Sequence, residues 1–306
     1  MKILITGAHG DIAQSICRVI KKKFKNTVVD GTDINLRGTG NYIFDNIIQV
    51  PLTNSRKYTA QIKKISKKYK LIIPATEEEI IFFSKKKDSF KRKILINSTN
   101  IIKKFSTKLS TYNFLNRNDY STLSFCKKLG GDKIPKYPFF LKTNFGHGNK
   151  NYKIIKSYKE LKKLRIKNKK DWVAQEYLGK NFDEYTCALI KIENFCDAII
   201  LKRYLSGGMT YYVEVIKNLQ LKKKLIRLAK KINLCGSINV QLKINKKRFA
   251  IFEINPRLSS TVMMRHMLGF TDCVWWINYK LNNEIPKYKY KIKNKKMIKQ
   301  YFEKFI

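Results

Sequence analysis

The sequence has few acids and few histidines, with 22 aspartate and glutamate residues and three histidines among 306 residues. Its six cysteines are scattered without a C-x-x-C pair, which argues against a zinc site or a disulfide framework and favours a reducing cytoplasm. No apolar run is long enough for a membrane span. The chain opens directly with the strand-like MKILIT, so we expect no secretory signal.

Positive charge is abundant, with a formal net charge of +43 and 54 lysines among the 65 basic residues. Such a charge makes a non-enzymatic, basic nucleic-acid-binding protein one alternative. The lysines are spread over the whole chain alongside many asparagines and isoleucines, which is typical of compositional bias and not of a binding patch. We therefore expect no specific nucleic-acid partner, although the charge should attract small anions. The length and the 43% hydrophobic content predict about two domains.

Strand-like and helix-like segments alternate over residues 1–98, which predicts a small doubly wound α/β unit. Its last two strands are expected in KLIIP and KILINS. Between them, Thr76 is expected to cap a helix whose first turn carries three glutamates. Because these acids follow the carboxyl end of a strand, Glu77 and Glu78 are also candidates for a ligand pocket.

A glycine turn, TGAHGDIA, joins the first strand to the first helix at residues 6–13. Such a turn can bind a phosphate on helix N–H groups, and Asp33 lies where an acid could bind a ribose. An NAD(P)-dependent short-chain-type reductase is therefore another alternative. These enzymes also need a Y-x-x-x-K pair, and two pairs occur between residues 152 and 162. They are uninformative, because a chain so rich in tyrosine and lysine gives about three by chance.

Two short strand-like segments joined by a basic turn cover residues 237–260. Strand side chains alternate faces, so Glu253 and Asn255 point to one side, which Gln241 on the preceding strand can also reach. One carboxylate and two amide oxygens suit Mg²⁺, which prefers oxygen ligands and is usually shared with substrate phosphates. Pro256 ends the strand, and Arg257 then places a cation suited to phosphoryl oxygens beside the metal.

Two more segments contribute candidate residues. YPFFLKTNFGHGNKNY, residues 137–152, is a strand running into a loop in which Gly146 and Gly148 allow close approach to a phosphate. DWVAQEYLGKNFDEYTCA, residues 171–188, contains two strands.

Amphipathic helices are expected at residues 219–233 and 261–280, with Trp275 and Trp276 in the core, and an edge strand is expected after residue 287.

The E-x-N-P-R strand, the Q-E-Y-L segment and the K…G-x-G loop resemble the ATP-grasp superfamily, in the form of the carbamoyl-phosphate-synthetase large chain and its smaller relatives. The resemblance covers nearly the whole chain. It implies a Rossmann-like pre-ATP-grasp domain at residues 1–98 and an ATP-grasp domain at residues 99–306, in which two α+β subdomains grip ATP. The lid subdomain would span about 122–174. Thr143 and Asn151 replace the proline and the later glycine usual in the family's lid loop.

The resemblance also implies roles for individual residues. Those implied to bind ATP are Lys108, Lys142, Gly146, Gly148, Glu176, Tyr177, Leu178 and Glu184. Among them, Glu176 and Leu178 would contact the adenine and Glu184 the ribose. The implied ligands of Mg²⁺ or Mn²⁺ are Gln241, Glu253 and Asn255. The cations implied to act in catalysis are Lys142, Arg203 and Arg257.

The activity implied by the resemblance is that of a Mg²⁺-dependent ligase. ATP would activate a carboxylate as an acyl phosphate, which an amine or ammonia then attacks while the closed lid excludes water. The implied partners are these small molecules and, from the family resemblance, a second copy of the chain in a homodimer. Small relatives are often associated with cell-surface polysaccharide or nucleotide-sugar biosynthesis. With one ATP-grasp unit and no glutaminase, the chain is not a whole carbamoyl-phosphate synthetase.

Overall fold

Over the residues that the structure describes, the strands form three sheets, and each sheet comes from one continuous part of the chain. The structure, a computed structural model, describes residues 1–90, 93–131, 134, 136–146, 152–246, 248–287 and 295–300. The fold is mixed α/β, as the sequence predicts.

The first sheet is parallel and has the order β3-β2-β1-β4. Its strands are β1 (Lys2–Thr6), β2 (Val28–Asp33), β3 (Ile47–Gln49) and β4 (Leu71–Pro74). The accompanying helices are α1 (Asp11–Lys23), α2 (Arg56–Ser66) and α3 (Glu77–Lys85). Apolar side chains of α1 pack on one face of this sheet and those of α2 and α3 on the other, which confirms the doubly wound α/β unit.

The prediction of a fifth strand at KILINS is wrong. Only Ile94 forms a bridge, with Ile72 of β4. The chain leaves the sheet soon afterwards because Ser98 caps the next helix, with its side chain accepting a hydrogen bond from the Ile101 N–H.

Two helices lead to the second sheet: α4 (Thr99–Phe105) and α5 (Lys108–Arg117). The sheet is antiparallel, with the order β5-β8-β6-β7. Its strands are β5 (Cys126–Lys128), β6 (Phe139–Thr143), β7 (Tyr152–Ile155) and β8 (Trp172–Glu176), with helix α6 (Tyr158–Lys163) between the last two. We refer to this sheet and α6 as the lid.

The third sheet is antiparallel, with the order β13-β12-β9-β10-β11-β14. Its strands are β9 (Asp183–Ile192), β10 (Phe195–Ser206), β11 (Met209–Val215), β12 (Gly236–Ile244), β13 (Phe249–Asn255) and β14 (Lys296–Ile298). The helices of this part are α7 (Leu219–Lys231), α8 (Val262–Met267) and α9 (Asp272–Asn282). The strand β14 occupies the edge of the sheet, as expected for the basic tail.

The two faces of the third sheet have different neighbours. Cys187, Leu189 and Val240 lie on the face that packs against α4, α5 and α7. On the opposite face, an apolar part that includes Ile190 and Ile199 packs in one core with α1, α8 and α9. The rest of that opposite face is polar and carries the candidate site.

The single helix predicted at residues 261–280 is wrong. It divides into α8 and α9 at Gly269, whose φ of +103° is incompatible with a continuous helix. The buried Arg265 of α8 pairs with the buried Asp272 of α9 at 2.7 Å, which fixes the bend. Trp275 and Trp276 are buried, as predicted.

The first unit is joined to the third sheet by buried polar contacts. The side-chain amide of Asn97 donates hydrogen bonds to the carbonyls of Ser237 on β12 and Pro256 after β13, at 2.9 and 3.0 Å. Ser15 on α1 donates to the Ser260 carbonyl. Within the part of the chain that the structure describes, no helix is long and apolar enough to cross a lipid bilayer.

Candidate active site

The polar part of the third sheet brings together the residues predicted to bind a metal. In the pairing of β12 with β13, Gln241 lies opposite Glu253 and Asn239 lies opposite Asn255. Pro256 follows the last residue of β13, as expected for a residue without an N–H group. The backbone therefore puts Gln241, Glu253 and Asn255 on one face, in neighbouring positions.

Arg203 on β10 reaches across β9 to this group. Its Nε donates to the Oε1 atom of Glu184 at 3.1 Å, and its Nη2 contacts the same oxygen. The Nη2 group also donates to the Oε1 atom of Gln241 at 2.9 Å. The Nζ of Lys243 lies 3.8 Å from the other carboxylate oxygen of Glu184. Arg203 thus binds Glu184, which is predicted to contact the ribose, and Gln241, which is predicted to bind the metal.

Helix α5 and the lid each contribute one lysine amino group to the site, from Lys108 and Lys142. Burial lowers the pKa of Lys108, and it lowers the pKa of Lys142 to about 8. Burial also lowers the pKa of Arg257 to about 10. The carboxylate of Glu253 acts in the opposite direction on all three, so one acid lies within electrostatic range of three cations. The amino group of Lys142 also lies 4.4 Å from the ring centroid of Phe140.

A cavity lies where the start of α5, the lid loop and the end of β13 meet. Its lining includes Lys108, Gly146, Glu253 and Asn255. Glu77 of α3 also lines this cavity, so the first unit contributes to the site. Its exposed fraction of 8% makes Glu77 a nearly buried acid beside the predicted phosphate and metal residues.

The lid loop is attached to the start of α5. The amino group of Lys108 donates to the Gly146 carbonyl at 3.0 Å. Asn144 accepts two hydrogen bonds, from the Lys108 N–H at its carbonyl and from the Leu109 N–H at its side chain, both at 3.0 Å. These contacts satisfy N–H groups of the first helical turn. Gly148 and Asn151, also considered in the sequence, lie outside the described residues.

The predicted adenine segment follows β8. The Glu176 carboxylate accepts a hydrogen bond from the Ser124 N–H at 2.6 Å and pairs with Arg248 at 2.5 Å. Tyr177 contacts the ring of Phe140 edge-on, with 4.9 Å between centroids, and Leu178 is buried. These contacts fix the segment at the end of β8.

The glycine turn at residues 6–13 is occupied by the chain's own contacts. The Asp33 carboxylate, proposed for a ribose, accepts hydrogen bonds from the N–H groups of His9 and Asn35. Gly7 has a φ of +67°, and a Cβ there would lie 2.5 Å from the Cγ2 atom of Thr76. Packing alone thus explains why residue 7 is a glycine. Thr76 caps α3, as predicted, and its side chain also donates to Glu79.

The sequence reading missed Asn144 and Lys243. The two-residue period of β12 could have identified Lys243, which follows Gln241 on the same face. No local signal identifies Asn144, because its partners begin a helix 35 residues earlier in the chain.

The chain matches two family models. Residues 168–303 match "ATP-grasp in the biosynthetic pathway with Ter operon", and residues 3–96 match "PylC-like, N-terminal domain". Two mycoplasma proteins described as uncharacterised are similar in sequence. Protein MG011 of Mycoplasma genitalium is 28% identical over 96 residues, which cover 31% of this chain and 33% of that protein. Its Mycoplasma pneumoniae homolog is 26% identical over 189 residues, covering 58% and 64%. The chain thus spans less than two thirds of either relative.

Solved structures with the same fold include a synthetase and a biotin carboxylase domain. The N5-carboxyaminoimidazole synthetase of Staphylococcus aureus has a TM-score of 0.72 at 16% identity, with 93% of this chain and 78% of that chain covered. The biotin carboxylase domain of the 2-oxoglutarate carboxylase of Hydrogenobacter thermophilus, determined as a dimer with MgADP, ADP and bicarbonate, has a TM-score of 0.73 at 15% identity. There the coverage is 94% and 71%. The chain therefore has the fold of these ATP-grasp proteins, with a PylC-like N-terminal domain matched at residues 3–96 and an ATP-grasp domain matched at residues 168–303.

Proposed function

We propose that this protein is an ATP- and Mg²⁺-dependent ligase that activates a carboxylate as an acyl phosphate and joins it to an amine or ammonia. One observation carries this proposal: Glu253, Asn255 and Lys108 line one cavity, and the amino group of Lys142 lies within electrostatic range of Glu253. A nucleotide polyphosphate with a bound divalent ion suits such a mixture of cations and oxygen ligands.

The donor set is compatible with Mg²⁺. Glu253 offers a carboxylate, and Gln241 and Asn255 offer amide oxygens, all of which are hard ligands. Among the described residues, no group of three histidine, cysteine, aspartate or glutamate side chains could hold a metal. Nucleotide phosphates would therefore supply the remaining ligands. When bound, Mg²⁺ would neutralise charge on the phosphate oxygens.

The nucleoside would lie beside residues 176–178, whose backbone groups read the adenine in our proposal. Glu184 would accept hydrogen bonds from the ribose hydroxyls. Its Oε1 atom is bound by Arg203, whereas its Oε2 atom lies 3.8 Å from the Lys243 nitrogen. This second oxygen is the one that we assign to the ribose.

The reaction would have two steps. In the first, an oxygen of the substrate carboxylate attacks the γ-phosphorus and ADP leaves, while Lys108, Lys142 and Arg257 counter the charge on the phosphates. In the second, the amine nitrogen attacks the acyl carbon, the bond from that carbon to the phosphate oxygen breaks, and inorganic phosphate leaves. The nitrogen releases a proton to the phosphate or to water. The lid would exclude water from the acyl phosphate.

Calorimetric titration of nucleic-acid-free protein with Mg-ATP, NADH and NADPH tests the proposal. We expect Mg²⁺-dependent ATP binding that weakens at least tenfold in Glu253→Ala, because the variant lacks the one carboxylate of the metal set. Glu284→Ala, which removes an exposed carboxylate after α9, is the matched control and should bind as the wild type does. Binding of a dinucleotide without ATP would overturn the proposal in favour of a reductase.

Other features remain predictions. A specific relation to carbamoyl-phosphate synthetase and a place in cell-surface polysaccharide or nucleotide-sugar biosynthesis rest on the resemblance described above. The homodimer also rests on that resemblance, and light scattering after size-exclusion chromatography measures the oligomeric state directly. Once ATP binding is established, ADP release in the presence of paired carboxylates and amines would identify the substrates.

A further inference from the structure

The Glu253 carboxylate has a different neighbour on each side. Gln241 lies opposite it on β12, and Asn255 lies two residues further along β13 on the same face. A carboxylate has two oxygens and about four positions for accepting a bond, so it can serve a cation on each side. The three predicted ligands could therefore surround two cations, one towards Gln241 and one towards Asn255.

A cation of the chain itself already occupies the Gln241 side. Arg203 binds Gln241 at 2.9 Å and is held in place by its ion pair with Glu184. The side chains of Arg203 and Glu184 are only 13% and 21% exposed, so water screens this pair weakly. The planar donors of a guanidinium suit two acceptors at once.

On the Asn255 side, a metal ion could replace the chain's own cation more easily. The Nη2 group of Arg257 lies 3.3 Å from the Oδ1 atom of Asn255, beyond the usual range for an N–H to oxygen hydrogen bond. The same guanidinium also donates at 3.0 Å to the Leu258 carbonyl, so Asn255 is not its only partner. The amide oxygen of Asn255 also has a second lone pair.

We propose that the guanidinium of Arg203 takes the place of a divalent cation beside Gln241, so that the nucleotide-loaded protein holds one divalent ion, on Glu253 and Asn255. A metal ion beside Gln241 would have to displace Arg203 from an ion pair, and it would meet the charge of Lys243 as well. Arg203 is thus a positioning residue that orients Gln241 and sets the metal stoichiometry. This inference rests on the proposed binding of ATP with a divalent ion.

Equilibrium dialysis with Mn²⁺ and ATP, with both measured in the protein compartment, tests the inference. The expected ratio of bound Mn²⁺ to bound ATP is one in the wild type and two in Arg203→Met, which keeps the length of the side chain but removes its charge. Arg203→Lys keeps a cation and should restore a ratio of one. A ratio of two in the wild type, or of one in a folded Arg203→Met that binds ATP, overturns the inference.

A second pair of variants provides a test that does not depend on Arg203. The ratio should fall well below one in Asn255→Ala and stay at one in Gln241→Ala, and the reverse pattern would also overturn the inference. Electron paramagnetic resonance of the bound Mn²⁺ should show an isolated ion in the wild type and two coupled ions in Arg203→Met. Failure of the wild type to bind ATP at all would instead refute the proposed function, so the two failures are distinguishable.

Discussion

Asn144 of the lid loop binds the first turn of α5 twice, through its own carbonyl to the Lys108 N–H and through its side chain to the Leu109 N–H. Helix N-termini carry N–H groups that need acceptors, and here the acceptors come from the loop that also carries Gly146. The position of the lid loop and the position of Lys108 are therefore linked.

Replacing Asn144 by alanine should loosen the lid loop. The lost side-chain hydrogen bond is worth about 1 kcal/mol, so we expect ATP affinity to fall about fivefold. Calorimetry measures the affinity, and hydrogen exchange should show faster exchange at residues 139–146. Asn116→Ala, at an exposed position of the same helix, is the control. Unchanged exchange in the lid of Asn144→Ala would contradict the proposed link.

Lys142 should make ATP affinity depend on pH. Burial lowers its pKa to about 8, so the free protein loses this charge as the pH rises through 8. Because ATP favours the ammonium form, affinity should fall about tenfold between pH 7 and 9. Lys142→Met should bind weakly with little pH dependence over this range, whereas Lys153→Met, at an exposed position on β7, should follow the wild type.

Whereas a rise in pH should weaken ATP binding through Lys142, it should increase the contribution of the same lysine to stability. Its pKa in the folded protein lies below the ordinary 10.5, so the folded state binds fewer protons than the unfolded state between pH 8 and 10.5. The contribution of Lys142 to the free energy of unfolding should therefore rise with pH in this window. Urea titrations of the wild type and Lys142→Met at pH 8 and 10 would show the difference. An equal change with pH in both proteins would argue against a buried, ionisable Lys142.

Gly7→Ala should destabilise the protein by about 2–4 kcal/mol, through both its positive φ and the collision of the new Cβ with Thr76. Gly207→Ala is a matched control, since Gly207 also has a positive φ of +56° but has no atom within 4 Å of a new Cβ. It should cost only about 1–2 kcal/mol. Chemical denaturation measures both. A cost at Gly7 no larger than that at Gly207 would mean that the turn is not closely packed.

The buried ion pair between α8 and α9 should be sensitive to loss of one charge. Asp272→Asn preserves the shape but leaves the Arg265 guanidinium buried beside a neutral amide. We expect a loss of about 3–5 kcal/mol in the free energy of unfolding. The control is Asp88→Asn, at an exposed position, which should change stability by less than about 0.5 kcal/mol. A loss for Asp272→Asn as small as that of the control would show that the pair contributes little.

Periodic patterns in the sequence predicted the elements well, because burial repeats every two residues in a strand and about every 3.6 in a helix. The burial of Trp275 and Trp276 agrees with the pattern, whereas the cap at Thr76 was predicted from its residue type and the acids that follow it. Alternation also sufficed to put Glu253 and Asn255 on one face, although their role as ligands stays a prediction. The break at Gly269 was missed because the apolar pattern continues through it, while backbone geometry ends the helix.

Contacts between distant segments could not be predicted in this way. The contact of Arg203 with Gln241 depends on the order of strands in the sheet, which puts β9 between β10 and β12. Likewise, Glu77 reaches the cavity because the first unit packs against the third sheet. Neither relation has a signature in local spacing.

Asn97 donates to carbonyls that follow or belong to two neighbouring strands, β13 and β12. Through this contact, the parallel sheet and the floor of the cavity should move as one rigid block. The lid packs around an apolar cluster of its own and should be the part that moves when a nucleotide enters. Energy transfer between fluorophores on α6 and α2 should then change when a nucleotide binds. Energy transfer between fluorophores on α2 and α7 should stay constant and serve as the control.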